Sequence, residues 1–477
     1  MNSWMRRKSL DLENVSAQHR LSRTLSWWHL TALGVGAIVG TGIYTLVGIG
    51  ANLAGPAVIL SFVVAGVISA CAALAYAEVA TMIPASGSAY TYSYVALGEA
   101  IAWVVGWSLI LEYSLVVSAV AVGWSGYVTG FLASVGIHLP AALSAGPYAG
   151  GVFNLPAVAI IAVVAGLLIA GTRESANINA ILVVVKVAAL AIFVAVVIPH
   201  FHSVEFKPFM PYGFPAHSVA GTERGVMAAA GIIFFAFYGF DAISTAAEEA
   251  KNPGRDLAIG IVASMLICTL VYMLVAAAAV GSMPYTEYAK SPEPLALILR
   301  RLGDNGVSSI IGAAAVIALP TVILAFLYGQ SRIFFVMARD GLLPTPLARV
   351  HPTTGTPVRI TILTAAVVSL LAGLVPLDQI AALANAGTLL AFVAAASCML
   401  VLRVRAPERK RSFRTPLAWF VGPAAILGCI YLFSSLPTRT RVFFLFWNTC
   451  GFLYYAAWKV RNDKAGASLD RRAEAGK

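Results

Sequence analysis

Apolar runs of about 20 residues recur some twelve times along this chain, and each is long enough to cross a hydrocarbon core of roughly 30 Å. Their approximate cores are 29–52, 56–80, 100–131, 155–172, 175–198, 226–250, 256–281, 307–337, 358–375, 380–402, 417–435 and 442–460. With 11% of its 477 residues charged and 59% hydrophobic, the chain reads as an all-α polytopic membrane protein of twelve transmembrane helices. The first run follows a polar segment of 28 residues and has no small-residue cleavage site after it, which marks a retained helix and not a signal peptide.

The formal charge of +11 could point to nucleic acid, but its distribution has a simpler cause. With the N-terminus inside, 24 of the 32 Lys and Arg fall in cytoplasmic segments or at the span ends beside them, 7 outside and one, Lys186, deep within a span. That asymmetry orients the chain in the cell (plasma or inner) membrane with both termini cytoplasmic, and makes lipid rather than nucleic acid its surroundings. Arg6, Arg7, Lys8, Arg20 and Arg23 form a basic juxtamembrane tail, a topology signal that could also lie on anionic lipid. The five cysteines all sit in apolar runs without paired spacing, as packing residues do. His200 and His202 lack a third nearby ligand, so no metal site is expected.

Two of the runs carry interruptions. Gly34-Val35-Gly36-Ala37-Ile38-Val39-Gly40-Thr41-Gly42-Ile43-Tyr44 places four glycines where lipid demands a helix, and a comparable stretch, Gly231 to Asp241, follows roughly 200 residues later. An unwound membrane helix must find partners for its freed amides and carbonyls, and a polar ligand can supply them in a sheltered site. The segment Pro84 to Gly98, with Tyr90, Tyr92 and Tyr94, reads as an internal interfacial loop. Residues 132–154 and 199–222 read as caps over the outer face, and 283–306 as short amphipathic helices forming an outer lid.

Several ordered motifs carry a resemblance: Gly36-Ala37-Ile38-Val39-Gly40-Thr41-Gly42-Ile43; Pro84-Ala85-Ser86-Gly87-Ser88-Ala89-Tyr90 with Gly98-Glu99; Phe237-Tyr238-Gly239-Phe240-Asp241; Glu248-Glu249 with Asn252-Pro253-Gly254-Arg255; and Arg339-Asp340-Gly341. From about residue 22 to 460 the chain resembles the amino acid–polyamine–organocation transporters, within them the cationic amino acid transporter branch. It departs from their pattern at Ala258, where a proline is usual, and at Tyr238, bulkier than the residue common there. The resemblance implies a LeuT-like fold with a 5+5 inverted repeat. The chain then divides into a cytoplasmic N-terminal tail (1–28), a ten-helix core (29–404), two additional transmembrane helices (405–460), as scaffold or interface, and a cytoplasmic C-terminal tail (461–477).

By analogy with that family, an amino acid substrate would place its carboxylate on the amides of Thr41, Gly42 and Ile43 and its ammonium on the carbonyls of Ile38, Phe235, Ala236 and Tyr238. Broken helices suit such a ligand, because the second half offers amides and the first half carbonyls. Lys186 lies about 12 residues, some 18 Å, into the fifth span, too deep for an end anchor. A lysine there must pair, face a cavity or lose its proton. Related transporters place a helix 5 lysine where others hold sodium, so Lys186 either couples transport to protons by binding carbonyls near Gly34 to Ile38 or braces the first and fifth spans. Glu112 is either a proton relay or a charge partner. Asp241 either caps the second half of the sixth span or faces a cationic side chain, and Glu248, Glu249 and Arg255 either close an inner gate or form a solvated face.

The expected activity is secondary active amino acid uptake by proton symport, with protons as coupling ion and no other cofactor; the alternative is an amino acid exchanger in which Lys186 is structural. An enzyme would need clustered ligands or a nucleophile-and-base pair, and ATP drive a P-loop; neither is evident. The sequence leaves room for a small accessory membrane subunit as a further partner. Tyr238 is expected to limit the side chain carried to small or medium size.

Overall fold

The computed structural model describes residues 6–8, 25–84, 87–170, 176–219, 221–247, 250–344 and 358–475. These are almost entirely helical, as backbone in lipid requires. The first interrupted run forms α1 (Trp27–Ile38), α2 (Thr41–Tyr44) and α3 (Leu46–Ala54). Then follow α4 (Val58–Met82), α5 (Ser88–Ala96), α6 (Glu99–Ser134), α7 (Leu155–Ile169) and α8 (Ala176–Val197). The second interrupted run forms α9 (Val226–Ile233), a 3-10 turn (Phe234–Ala236) and α10 (Asp241–Thr245). Beyond it lie α11 (Pro253–Ser282), α12 (Pro294–Arg301), α13 (Asn305–Arg339), α14 (Val358–Leu374), α15 (Leu377–Arg405), α16 (Ala418–Ser434) and α17 (Thr438–Ala475). A two-stranded antiparallel ribbon, β1 (His217–Val219) with β2 (Thr222–Arg224), precedes α9.

Among the described residues seven helical segments are long and apolar enough to cross a membrane. α7 and α14 are shorter apolar helices, and α16 meets α17 at a bend of 114°. The segment 226–244 is 94% buried in its apolar window and α6 78%, against 33% for the segment beginning at Ala180, so the interrupted run and α6 occupy the centre while α8 lies at the lipid-facing rim. α6 packs on α13 and α15, α4 on α11, and α1 on both α8 and α11.

Pro320 inside α13 has no N–H to give the carbonyl four residues back, and Trp124 of α6 donates its indole N–H to that carbonyl, Val316 O, at 2.8 Å. The carbonyl that the proline leaves without a backbone donor is thereby paired across helices. At one end of the bundle Glu78 of α4 accepts from Arg403 at 2.6 Å and from the Thr415 amide at 2.8 Å, tying α15 and the following segment to α4. Lys8 pairs with Asp340 at 2.8 Å, and Tyr90 OH donates to the other oxygen of Asp340 at 3.0 Å.

The segment expected as an interfacial loop is instead helix α5, with Tyr90 and Tyr92 wholly buried and Tyr94 8% exposed. Its tyrosine rings pack edge to face on one another and on Tyr76 of α4, so their polar character is absorbed by the interior and not by a headgroup layer. In the 283–306 connection the short helix Tyr285–Tyr288 and α12 do form. Glu293 pairs with Arg300 there and its carboxylate lies over Gly130 of α6, where a Cβ would collide with it. Burial pushes the Glu293 carboxyl above its ordinary value, with Arg300 pulling the other way.

Candidate functional site

The two interruptions meet at the centre of the bundle. α1 ends at Ile38 and Gly40 takes an extended conformation (φ −149°, ψ −149°), which deprives the carbonyls of Gly36 and Ile38 of the amides that a continuing helix would bring. Side chains from other helices replace them. Lys186 Nζ of α8 donates to Gly36 O at 2.9 Å and to Thr321 Oγ1 of α13 at 3.0 Å; Tyr272 OH of α11 donates to Ile38 O at 2.7 Å. One turn on, where α2 ends, Tyr127 OH of α6 donates to Tyr44 O at 2.6 Å.

At the second break α9 gives way to a 3-10 turn, and Asn385 Nδ2 of α15 donates to Gly231 O at 2.7 Å and Ile232 O at 3.0 Å. The chain re-enters a helix at Asp241 after Gly239, whose φ of +117° suits glycine and few other residues. Asp241 Oδ1 accepts the Gly239 N–H at 3.1 Å and Oδ2 accepts Tyr113 OH of α6 at 3.1 Å.

Two glycines let the breaks touch. A Cβ on Gly42 would fall 2.4 Å from Ala236 Cα, and one on Gly239 would fall 2.8 Å from the Ala37 carbonyl carbon. Gly34, by contrast, lies within α1 and makes room for Ile243 and Ser264. Of the four glycines in the first stretch, Gly40 and Gly42 thus serve the break and its crossing, while Gly34 serves helix packing.

Between the breaks lies a small cavity of about 10 Å³, room for a single water. Ile38, Thr41, Gly42, Phe235 and Tyr238, all singled out from sequence, line it. Sequence reasoning missed the opposite wall, formed by Val116 and Val120 of α6 with Val322 and Phe326 of α13. Tyr238 packs edge to face on Phe235 (4.7 Å between centroids) and on Phe326 (5.9 Å). The hydroxyls of Thr41 and Tyr238 are buried and have no hydrogen-bond partner among the described residues.

The other residues singled out fall elsewhere. The Ile43 amide donates to Gly40 O at 3.2 Å, so Thr41 and Gly42 carry the first amides of the short turn. Ala236 packs on Gly42, and Asp241 makes the two hydrogen bonds above instead of lining the cavity. The Asp241 carboxylate reaches back to Gly239 and across to Tyr113. Glu112, 1% exposed, lies against Gly387 of α15 and within coulombic range of Asp241, and its Oε2 has no hydrogen-bond partner among the described residues. Arg255 is exposed in the first turn of α11, and Glu248 and Glu249 lie outside the described residues.

Two helix ends that offer amides and carbonyls across a small chamber with apolar side chains around it can hold a zwitterion without any charged side chain. The family model described as "Amino acid permease" matches residues 25–455. The chain is 44% identical over 468 residues to the branched-chain amino acid permease BcaP of Bacillus subtilis, covering 97% of this chain and 99% of that protein. It is 42% identical over 461 residues to the methylthioribose transporter of the same organism (95% and 97% covered). To a vacuolar cationic amino acid transporter of Arabidopsis thaliana it is 38% identical over 417 residues (86% and 68% covered). Together with the helical membrane fold, these matches show that the chain belongs to the amino acid permease family, multi-pass membrane transporters of the amino acid–polyamine–organocation superfamily.

Proposed function

We propose that this chain takes up a neutral amino acid of small to medium apolar side chain across the cell membrane by proton symport and alternating access. The observation that carries the reading is the meeting of the two breaks around a small cavity bounded by their exposed backbone and by apolar side chains, with Lys186 hydrogen-bonded to a carbonyl that the first break frees. The substrate carboxylate is received by the amides of Thr41 and Gly42, with the unpartnered Thr41 hydroxyl beside them. The ammonium is received at the carbonyls of Ile38, Phe235, Ala236 and Tyr238. Val116, Val120, Val322, Phe326 and Tyr238 surround the side chain; no charged residue lines the cavity, which favours an aliphatic substrate over a cationic one. Relatives named for branched-chain amino acids fit that wall. A chamber of one water's volume must open to admit an amino acid, as alternating access requires.

The proposal includes twelve spans, of which the first ten form a 5+5 inverted repeat (29–404) and the last two (405–460) an addition, with both termini cytoplasmic. Protonated Lys186 holds α1 through Gly36; on deprotonation it releases that carbonyl and the inner half of the first span is freed to move. Glu112, with a spare carboxylate oxygen, is the second proton-carrying group. The full burial of Lys186 against two acceptors also supports a second reading, an amino acid exchanger in which the lysine is a fixed brace.

A thermal-shift panel of the twenty amino acids and methylthioribose on purified protein tests the substrate, since a ligand bound only by the folded state raises apparent stability. Shifts with valine, isoleucine, leucine or alanine are expected, and a shift with methylthioribose alone would overturn the amino acid reading. Uptake into vesicles empty of amino acid under an inward proton gradient separates symport from exchange: symport accumulates substrate, and an obligatory exchanger does not.

A further inference from the structure

The Asp241 carboxylate joins three elements. Its Oδ1 accepts from the Gly239 amide at the left-handed corner of the second break, and its Oδ2 accepts from Tyr113 of α6. Tyr113 is itself fixed. Its ring packs on Phe326 with centroids 5.1 Å apart, and Gly329 of α13 approaches it so closely that a Cβ there would lie 2.8 Å from Tyr113 Cε1. On the other side, Gly239 abuts the backbone of Ala37 and Ile38, the last residues of α1, and its neighbour Tyr238 lines the cavity. The contact chain therefore runs from the α6–α13 scaffold through Tyr113 and Asp241 to Gly239, then to the edge of the first break and to Tyr238.

We propose that Tyr113 and Asp241 are a positioning pair that sets the corner at Gly239, and through it both the spacing of the two broken helices and the seat of Tyr238. The pair touches no substrate. This inference rests on the proposed amino acid site for its functional consequence, but its structural content is independent of which ligand binds. What the corner needs from Asp241 is an acceptor for one amide and a partner for one phenol, and a carboxamide supplies both, because Tyr113 can turn its hydroxyl to accept from the amide nitrogen.

The test compares Tyr113→Phe, Asp241→Ala, the double variant and Asp241→Asn with wild type, in purified full-length protein. Two readouts are used: binding of isoleucine by thermal shift, and hydrogen–deuterium exchange of the peptide spanning 234–247 without ligand. Tyr113→Phe is expected to weaken binding about tenfold, the loss of one hydrogen bond to a charged group, and Asp241→Ala, which loses two, by at least as much; both should speed exchange of that peptide. The double variant should be no worse than the poorer single, since both break the same contact chain. Asp241→Asn should stay within about threefold of wild type. Additive losses, an Asp241→Asn as damaging as Asp241→Ala, or unchanged exchange in Tyr113→Phe would each overturn the proposal. Should wild type bind no amino acid, the exchange measurement alone decides for or against the pair while the amino acid reading falls separately.

Discussion

At the first break the carbonyls set free, Gly36 and Ile38, are held by an ammonium and a phenol; at the second, Gly231 and Ile232 are held by the carboxamide of Asn385. Both arrangements meet the same need, because an unpaired carbonyl in a lipid-enclosed interior is costly. They differ in what can undo them. A carboxamide keeps its donors at every pH, whereas an ammonium that loses its proton forfeits the charge and one N–H. On the proposed coupling, the second break is held at every pH by Asn385, while at the first the Gly36 contact depends on the Lys186 proton and the Ile38 contact, through Tyr272, does not. In that comparison the site has a fixed half, anchored by Asn385 and the Tyr113–Asp241 pair, and a releasable half, anchored by Lys186.

The comparison breaks most completely at the crossing itself. Gly42→Leu forces a side chain against the Ala236 backbone and should leave no measurable amino acid binding, in a protein that still inserts and elutes as a single species. Near-normal affinity by thermal shift would show that the breaks need not touch. Next in size, Asn385→Leu removes the donor to two buried carbonyls and should destabilise the protein by about 2–6 kcal/mol, at about 1–3 kcal/mol for each unsatisfied group. The loss should be the same at pH 5.5 and 8, which is what a permanent anchor means; melting curves at the two pH values check it, and a pH-dependent loss would erase the distinction between the halves. Smallest, Tyr238→Ile should admit bulkier substrates by about tenfold in a competition assay, the scale of a methylene or two in an apolar pocket. An unchanged profile across large amino acids would remove Tyr238 from the side-chain wall.

How legible this was in the sequence varied from residue to residue. Gly40 and Lys186 stood out because each is the wrong residue for its surroundings, a helix breaker and a cation inside apolar runs. The rest of the cavity wall did not. Val116, Val120, Val322 and Phe326 are apolar residues in apolar helices, and since lipid is as apolar as a protein core, hydrophobic patterning does not tell an inward face from an outward one. Tyr272 and Asn385 each carried a signal, a polar group in an apolar run, but their partners lie 234 and 153–154 residues away and only the packing of α11 and α15 reveals them. α5 was misread for the opposite reason. Its Ser and Tyr content suits an interface, and nothing local shows that Tyr76 and the neighbouring helices bury it. Asp241 sat where a helix cap belongs, but nothing local shows that its carboxylate also meets Tyr113, in a helix more than 120 residues earlier.

The conditional anchor is tested most directly by radiolabelled amino acid uptake in proteoliposomes, wild type beside Lys186→Ala, with and without an inward proton gradient. The account predicts that wild type accumulates substrate only with the gradient and that Lys186→Ala loses this accumulation, even where some binding or exchange at equal pH survives. Proton-driven accumulation that persists in Lys186→Ala would contradict it and move the coupling role to another group, with Glu112 the next to examine.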